Sequence, residues 1–279
     1  MMNKKITAGK IVSILILTIW AISALMPFLW MVSTSFKDAE VVHTVPVEWI
    51  PKKPGVTAYQ EIFNLNLIPF GKAVINSVIV TAIVTFITVM FPAMAAFVFA
   101  KIPFRGSEKL FLLFLASMMI PGVVTIIPNF IIIRTINLTN TFAGVALPFT
   151  VNAFGIFLIR QAMKGVDNAY MEAALMDGAT LPRIFFRIML PMVKPTMMTL
   201  VLLQFMFAWN NYLWPLVVLG MNRDKWTLQI ALANMQTQFG NDEHILMAGA
   251  LITMAPMIVM YLVTQRYVQT GIMIGGIKG

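Results

Sequence analysis

The stretch "EAALMDGATLPRIFFRIMLP", Glu172 to Pro191, is the part of the sequence on which the fold turns. It places Glu172, Asp177, Arg183 and Arg187 in a chain of 279 residues that is 59% hydrophobic and only 11% charged. Soluble domains carry roughly 25% charged residues. Against that background a mean hydropathy of +0.84 marks a membrane protein. Four charges near a bilayer centre, at about 2.5 to 3.5 kcal/mol each, would cost on the order of 10 to 14 kcal/mol. The stretch therefore lies outside the hydrocarbon, in a loop between apolar spans.

Hydrocarbon about 30 Å thick needs roughly 20 apolar residues at about 1.5 Å rise each. Six uncharged runs are long enough: 11–36, 73–100, 110–133, 141–159, 196–219 and 245–265. The expected fold class is all-α, a polytopic membrane protein with six transmembrane helices and both termini cytoplasmic. Residues 1–10 form an N-terminal tail, 11–265 the transmembrane domain with a cytoplasmic loop at 165–195, and 266–279 a C-terminal tail. The first run follows Lys4, Lys5 and Lys10, exceeds a signal-peptide core and lacks an A-x-A cleavage site, so it reads as an uncleaved span. Pro148, Asn152 and Gly155 interrupt the fourth run, which predicts that it faces protein able to satisfy its freed backbone groups.

Six spans put thirteen basic residues and four acids on the side of the termini, and seven of each on the other. The positive-inside rule makes the terminal side cytoplasmic. A basic stripe on a soluble face, as nucleic-acid binding needs, is absent from this distribution. Cysteine is absent too, which removes disulfides, thiolate metal sites and cysteine nucleophiles. His43 and His244 fall at external boundaries and read as solvated bystanders; neither G-x-S-x-G nor H-E-x-x-H occurs. No catalytic or metal-binding residue is assigned, and the chain reads as a non-enzyme.

Within the opening stretch, good helix formers run up to Gly178, a left-handed-capable stop. Thr180 as N-cap and Pro182 in the first turn start a second helix that Pro191 closes. Leu181, Phe185, Ile188 and Met189 share one face, with Arg183 and Arg187 on another. This pattern fits equally a hairpin lying on lipid headgroups and a docking element for a cytoplasmic partner.

No Asp, Glu, Lys or Arg lies within the six runs, which weakens an ion-coupled transporter. Polar groups concentrate instead in the fifth, where Gln204, Ala208, Asn211 and Pro215 would share a helix face with Trp209 and Tyr212 alongside. Gln204, Trp209, Asn210, Asn211 and Tyr212 are the candidate translocation-path residues, since amides and rings suit an uncharged polyhydroxylated solute. Interhelical hydrogen bonding is the alternative use of the same amides.

Glu172-Ala173-Ala174, Gly178, Ile188 and Leu190-Pro191 match all seven positions of the EAA signature, E-A-A-x3-G-x9-I-x-L-P. The chain thereby resembles permease subunits of binding-protein-dependent ABC importers. "WIPKKPGVTAYQEIF", "INS" at 75–77, "MMIP" at 118–121, "WNNYLWPL" at 209–216 and the tail "QRYVQTGIMIGGIKG" resemble the carbohydrate-uptake branch, similar to the smaller maltose-type subunit. Asp167, where the family often has proline, and Met273 and Ile274, where smaller residues are usual, depart from it.

The resemblance implies that Glu172, Ala173, Ala174, Asp177, Gly178, Ile188, Leu190 and Pro191 form the ATPase-coupling element. Glu172 would meet a basic group of the ATPase, Ala173 and Ala174 would allow close approach, and Gly178 would form the elbow. It implies a second permease subunit, two ATP-binding subunits, an extracytoplasmic solute-binding protein and a carbohydrate substrate, in the bacterial or archaeal cytoplasmic (inner) membrane. In that family much of the sugar contact comes from the larger permease partner. The chain has no G-x-x-x-x-G-K-[ST], so no cofactor is expected on it, and ATP and Mg belong to the partner ATPase. A stand-alone facilitator or secondary transporter with an amphipathic cytoplasmic hairpin is the competing reading.

Overall fold

The computed structural model describes residues 8–65, 68–240 and 242–276, with side-chain surroundings for 9–65, 68–240 and 242–267. Lys4, Lys5, residues 277–279 and the side chains of Met273 and Ile274, which carry the tail readings, lie outside these. Every regular element described is helical. In chain order they are α1 (Ala8–Ser35), α2 (Ala39–Val42), α3 (Thr57–Phe63), α4 (Phe70–Lys101), α5 (Ser107–Ser117), α6 (Ile126–Thr135) and α7 (Phe142–Ala146). They continue as α8 (Ala153–Lys164), α9 (Ala169–Met176), α10 (Leu181–Met192), α11 (Lys194–Trp209), α12 (Leu213–Leu219), α13 (Leu228–Gln238) and α14 (Glu243–Gly276).

Three described helices, α1, α4 and α14, are long and apolar enough to cross a membrane, and up to five spans result if each bent pair counts as one. The all-α expectation holds; the continuous spans expected at 110–133, 141–159 and 196–219 are replaced by broken helices. At 110–133, α5 and α6 are separated by turns through Pro121 and Gly122. The residue before a proline is pushed out of the α region, and glycine favours the turn that follows. At 141–159 the chain bends by 52° before α8. Asn152 stops one helix and starts the next, its Oδ1 accepting the Gly155 N–H at 3.1 Å. At 196–219 the break is Asn210–Tyr212, where Asn211 Oδ1 accepts the Trp214 N–H at 3.4 Å. The last helix continues past the expected boundary at 265 to Gly276.

The chain divides into two compact units. One comprises residues 1–67 and 232–254. In it, Ala58 and Ile62 of α3 are fully buried, and Ile62 lies close to Gly249 of α14. Most of α1 from Ile11 to Leu29 is exposed apolar surface, suited to lipid or to another membrane subunit.

The other unit comprises residues 68–231 and 255–279. Its main core joins Ala93, Ala96 and Phe97 of α4, Ile159 and Met163 of α8, and Leu200 of α11. Gly155 sets this packing: a Cβ there would sit 3.0 Å from Pro92 Cβ and 3.2 Å from Leu200 Cδ2. A second cluster gathers Val84, Ile133, Val145, Trp214 and Leu219. Its one large polar atom is satisfied, because Trp214 Nε1 donates to the Val145 carbonyl at 3.0 Å.

Candidate coupling surface and membrane cavity

The two-helix block of the sequence is present, and its elbow is a Schellman turn. Gly178 adopts φ +74°, its N–H donates to the Leu175 carbonyl at 3.0 Å, and the Ala179 N–H reaches back to the Ala174 carbonyl at 2.9 Å. These two bonds close the last carbonyls of α9 and require a left-handed residue at the turn. At the other end of α9 the Asp167 carboxylate accepts the Ala169 N–H at 3.0 Å. Lys101 Nζ, at the end of α4, donates to the Val166 carbonyl and to Asn168 Oδ1, both at 2.6 Å.

Thr180 occupies the N-cap position with extended backbone, although its hydroxyl makes no capping bond. Pro191 does not end α10 as its sequence position suggests. A π turn over Phe185–Met189 precedes it, in which the Leu190 N–H donates to the Phe185 carbonyl. The wider turn relieves the clash that a proline ring imposes on the preceding α-helical turn, so the helix runs on to Met192. It then meets α11 at an 83° bend.

Ile184, Phe185 and Met189 are the buried residues of α10, at 0 to 4% exposure, and Phe185 packs on Phe97 at a centroid distance of 5.4 Å. Burying each such side chain is worth about 1.5 to 3 kcal/mol. Leu181, assigned to the same face by spacing, is exposed, so that face is centred one residue later. Ala174 points into this core, whereas Ala173 is exposed; only one of the two alanines is free for close approach from outside. Ile188 and Leu190 are half-buried against the core, and Pro191 is exposed.

The outer surface carries Glu172, Ala173, Asp177 and Gly178, with Met176 at 88% exposure. Among the described residues, the side chains of Glu172, Asp177, Arg183 and Arg187 form no hydrogen bond or ion pair within the chain. Between α5 and α8 lies a contact that the sequence shows only as loop charge. Arg160, 2% exposed, holds Glu108 through Nη2, donates from Nε to the Phe99 carbonyl at 3.2 Å, and stacks 3.9 Å over the Phe111 ring. Lys164 Nζ joins at 3.5 Å. Partial desolvation pushes the Glu108 carboxyl up, but Arg160 and Lys164 together outweigh it and hold the group below its ordinary pKa.

A cavity of about 330 Å³ opens where the fourth expected span is broken. Thr88, Ser117, Asn152 and Gln204 supply its polar lining. Phe149, Phe154 and Phe207 supply rings, Phe149 and Phe207 meeting edge to face at 5.1 Å. Asn152 is committed to Gly155 and, through Nδ2, to the Thr88 carbonyl at 3.3 Å. The Gln204 carboxamide has no partner among the described residues.

The other candidate path residues do not line this cavity. Trp209 is buried and stacks on Phe205 at 5.9 Å; Asn210 is exposed, with Nδ2 3.6 Å from Met257 Sδ; Asn211 accepts the Trp214 N–H; Tyr212 is 40% exposed. The break at Asn210–Tyr212 removes the single face that i, i+4, i+7, i+11 spacing assumed. Of the lining, Phe149, Asn152 and Phe154 fall within the Pro148 to Gly155 interruption that marked the fourth span, whereas Thr88, Ser117 and Phe207 carry no comparable signal in the sequence.

The segment after α12 is pinned to the start of α4. Asn76 Nδ2 donates to the Asp224 and Trp226 carbonyls, Ser77 Oγ accepts the Leu228 N–H at 2.7 Å, and Lys72 pairs with Asp224 at 2.8 Å. His244 is not the solvated residue expected from its position: it is 4% exposed, with Nε2 3.6 Å from Glu61. His43 does remain exposed.

Residues 89–273 match the family described as "Binding-protein-dependent transport system inner membrane component". The chain belongs to this family of permeases. The permease is 38% identical over 204 residues to an arabinooligosaccharides transport system permease protein of Halalkalibacterium halodurans, covering 73% of each chain. It is 33% identical over 260 residues to a trehalose transport system permease protein of Mycobacterium tuberculosis, covering 92% of this chain and 93% of that one. Among solved structures, the permease superposes with a TM-score of 0.83 and 25% identity on a chain of a bacterial ABC transporter involved in the import of the acidic polysaccharide alginate. That match covers 96% of this chain and 99% of the other.

Proposed function

We propose that this permease is the membrane subunit of an ATP-driven ABC importer for a carbohydrate, and that residues 165–195 couple it to a cytoplasmic ATPase. The observation that carries the reading is the α9–α10 surface. Four charged side chains without partners among the described residues, and Met176 at 88% exposure, sit on a block fixed from behind by the Schellman turn, Lys101 and a buried apolar core. A hairpin adapted only to headgroups needs no such rigid backing. A lever does, because displacement at Glu172 to Gly178 must reach α4, α8 and α11 without being absorbed.

In this reading both termini are cytoplasmic, six spans are formed with the broken helices counted whole, and residues 220–244 receive an extracytoplasmic binding protein. A second permease subunit covers the exposed apolar surface of α1. Two ATPase subunits supply ATP and Mg chemistry, closing on each other and turning the coupling blocks between inward- and outward-facing states. The arabinooligosaccharide and trehalose systems of the relatives, and the alginate importer, support carbohydrate as the solute class. The Gln204 amide and the Phe149 and Phe207 rings offer a hydroxylated ring both a hydrogen-bond partner and flat apolar faces.

The test uses the natural absence of cysteine. Met176→Cys, in the assembled complex, is expected to cross-link to the ATPase with a yield that changes with nucleotide, and Glu172→Lys to reduce that yield. Labelling of the same cysteine by a membrane-embedded reagent, with no ATPase cross-link, would assign the block to the lipid surface instead.

A further inference from the structure

At the end of α1, within the first unit, two neighbouring hollows differ sharply in chemistry. One, about 220 Å³, is lined by Lys37, Lys52, Lys53, Asp38 and Glu48. The other, about 450 Å³, is lined by Leu29, Val32, Phe36, Trp49, Ile50 and Pro54. They share Pro51, and the consecutive residues Phe36 and Lys37 line one each. Trp30 and Trp49 meet edge to face at 5.3 Å beside them, the kind of aromatic pair that sits at headgroup depth.

Lys52 and Lys53 of the cationic hollow are exposed, but Lys37 is not. Lys37 is 1% exposed, and its Nζ makes no hydrogen bond among the described residues. Its Nζ lies over the Trp30 ring, 4.1 Å from the centroid. The neighbouring acids are already engaged: Glu48 binds Lys52 at 2.8 Å and Asp38 accepts the Thr57 hydroxyl at 2.9 Å. Three lysines against two acids leave one positive charge, and among the described residues neither Lys37 nor Lys53 is paired with an anion. An unpaired buried ammonium is costly, and desolvation accordingly lowers the Lys37 pKa, with Glu48 opposing.

We propose that these hollows form one phospholipid site, in which Lys53 meets the phosphate of an anionic lipid, the buried Lys37 ammonium adds its unpaired charge from within the wall, and an acyl chain occupies the apolar groove. Charge complementarity and the continuity of a cationic pocket with a hydrocarbon-lined groove select an amphiphile over a free anion. The net positive charge selects phosphatidylglycerol over phosphatidylcholine, whose quaternary ammonium would face Lys52 and Lys53.

The purified chain in detergent, given phosphatidylglycerol or phosphatidylcholine, is analysed by native mass spectrometry for retained lipid. Bromine-labelled acyl chains report occupancy independently through quenching at Trp30 and Trp49. Wild type is expected to retain phosphatidylglycerol preferentially, and Lys37→Met and the exposed-site variant Lys53→Gln each to bind it about fivefold more weakly. Ile50→Glu, which places a carboxylate in the groove, is expected to abolish retention of either lipid. Equal retention by wild type and Lys53→Gln would overturn the proposal even if Lys37→Met failed to fold. Displacement by inorganic phosphate alone would overturn it in favour of a free anion. Loss of binding-protein docking in Lys37→Met, with unchanged lipid retention, would overturn it in favour of a protein carboxylate.

Discussion

Replacing Gly178 separates a backbone requirement from a space requirement at the elbow. With φ +74°, an L side chain there costs about 1 to 2 kcal/mol, most for a β-branched residue and least for Asn. A Cβ at this position meets nothing within 4 Å, so no steric term adds to the backbone term inside the chain. A shift of that size moves the balance between the closed elbow and a frayed one about 5- to 30-fold. Gly178→Pro goes further, because it forbids positive φ and deletes the N–H that bonds Leu175. The expected order for ATP-coupled uptake by the reconstituted importer is wild type, then Asn, then Val, then Pro, with membrane insertion unchanged. Wild-type uptake by Gly178→Val would refute the elbow argument. Asn as damaging as Val would show that clearance in the docked complex, rather than φ, sets the need for glycine.

Gln204→Leu is expected to lower solute uptake without lowering thermal stability, since the amide has no partner among the described residues to lose; unchanged uptake would remove the cavity from the solute path. Leu200→Ala, fully buried against Gly155, should destabilise by about 2 to 5 kcal/mol in equilibrium unfolding, and a loss well under 1 kcal/mol would contradict the packing of α4, α8 and α11. The depressed Glu108 carboxyl contributes fully above its ordinary value of 4.5, and that contribution is lost as pH falls through the folded value. As pH falls from 4.5 through the folded value, wild type should therefore lose more thermal stability than Glu108→Gln, and parallel curves would remove the Arg160 pairing as a contributor.

The charges of residues 172–191 were legible because their membrane cost exceeds anything local structure could offset, and Gly178 because only glycine is at ease in the left-handed turn. The broken spans were less legible. Hydropathy sums over some twenty residues, whereas Asn152 and Asn211 act through single side-chain bonds to backbone N–H groups three residues on. The π turn before Pro191 was hidden for a related reason: a proline reads as a stop until the carbonyl it would strike has moved. Lys37 and Arg160 mark a different limit. A cation beside an apolar run looks solvated in sequence, yet Lys37 is buried with its Nζ over the Trp30 ring and Arg160 is buried among Phe99, Glu108 and Phe111. His244 follows the same pattern through Glu61.

The most direct measurement is solute flux in proteoliposomes containing the chain alone, then the chain with its second permease, its ATPase subunits and the binding protein. The account predicts no carbohydrate flux from the chain alone, and flux from the assembly only with ATP and Mg, lost in Glu172→Lys. Carbohydrate flux through the chain alone, or ATP-independent flux through the assembly that Glu172→Lys leaves intact, would contradict it.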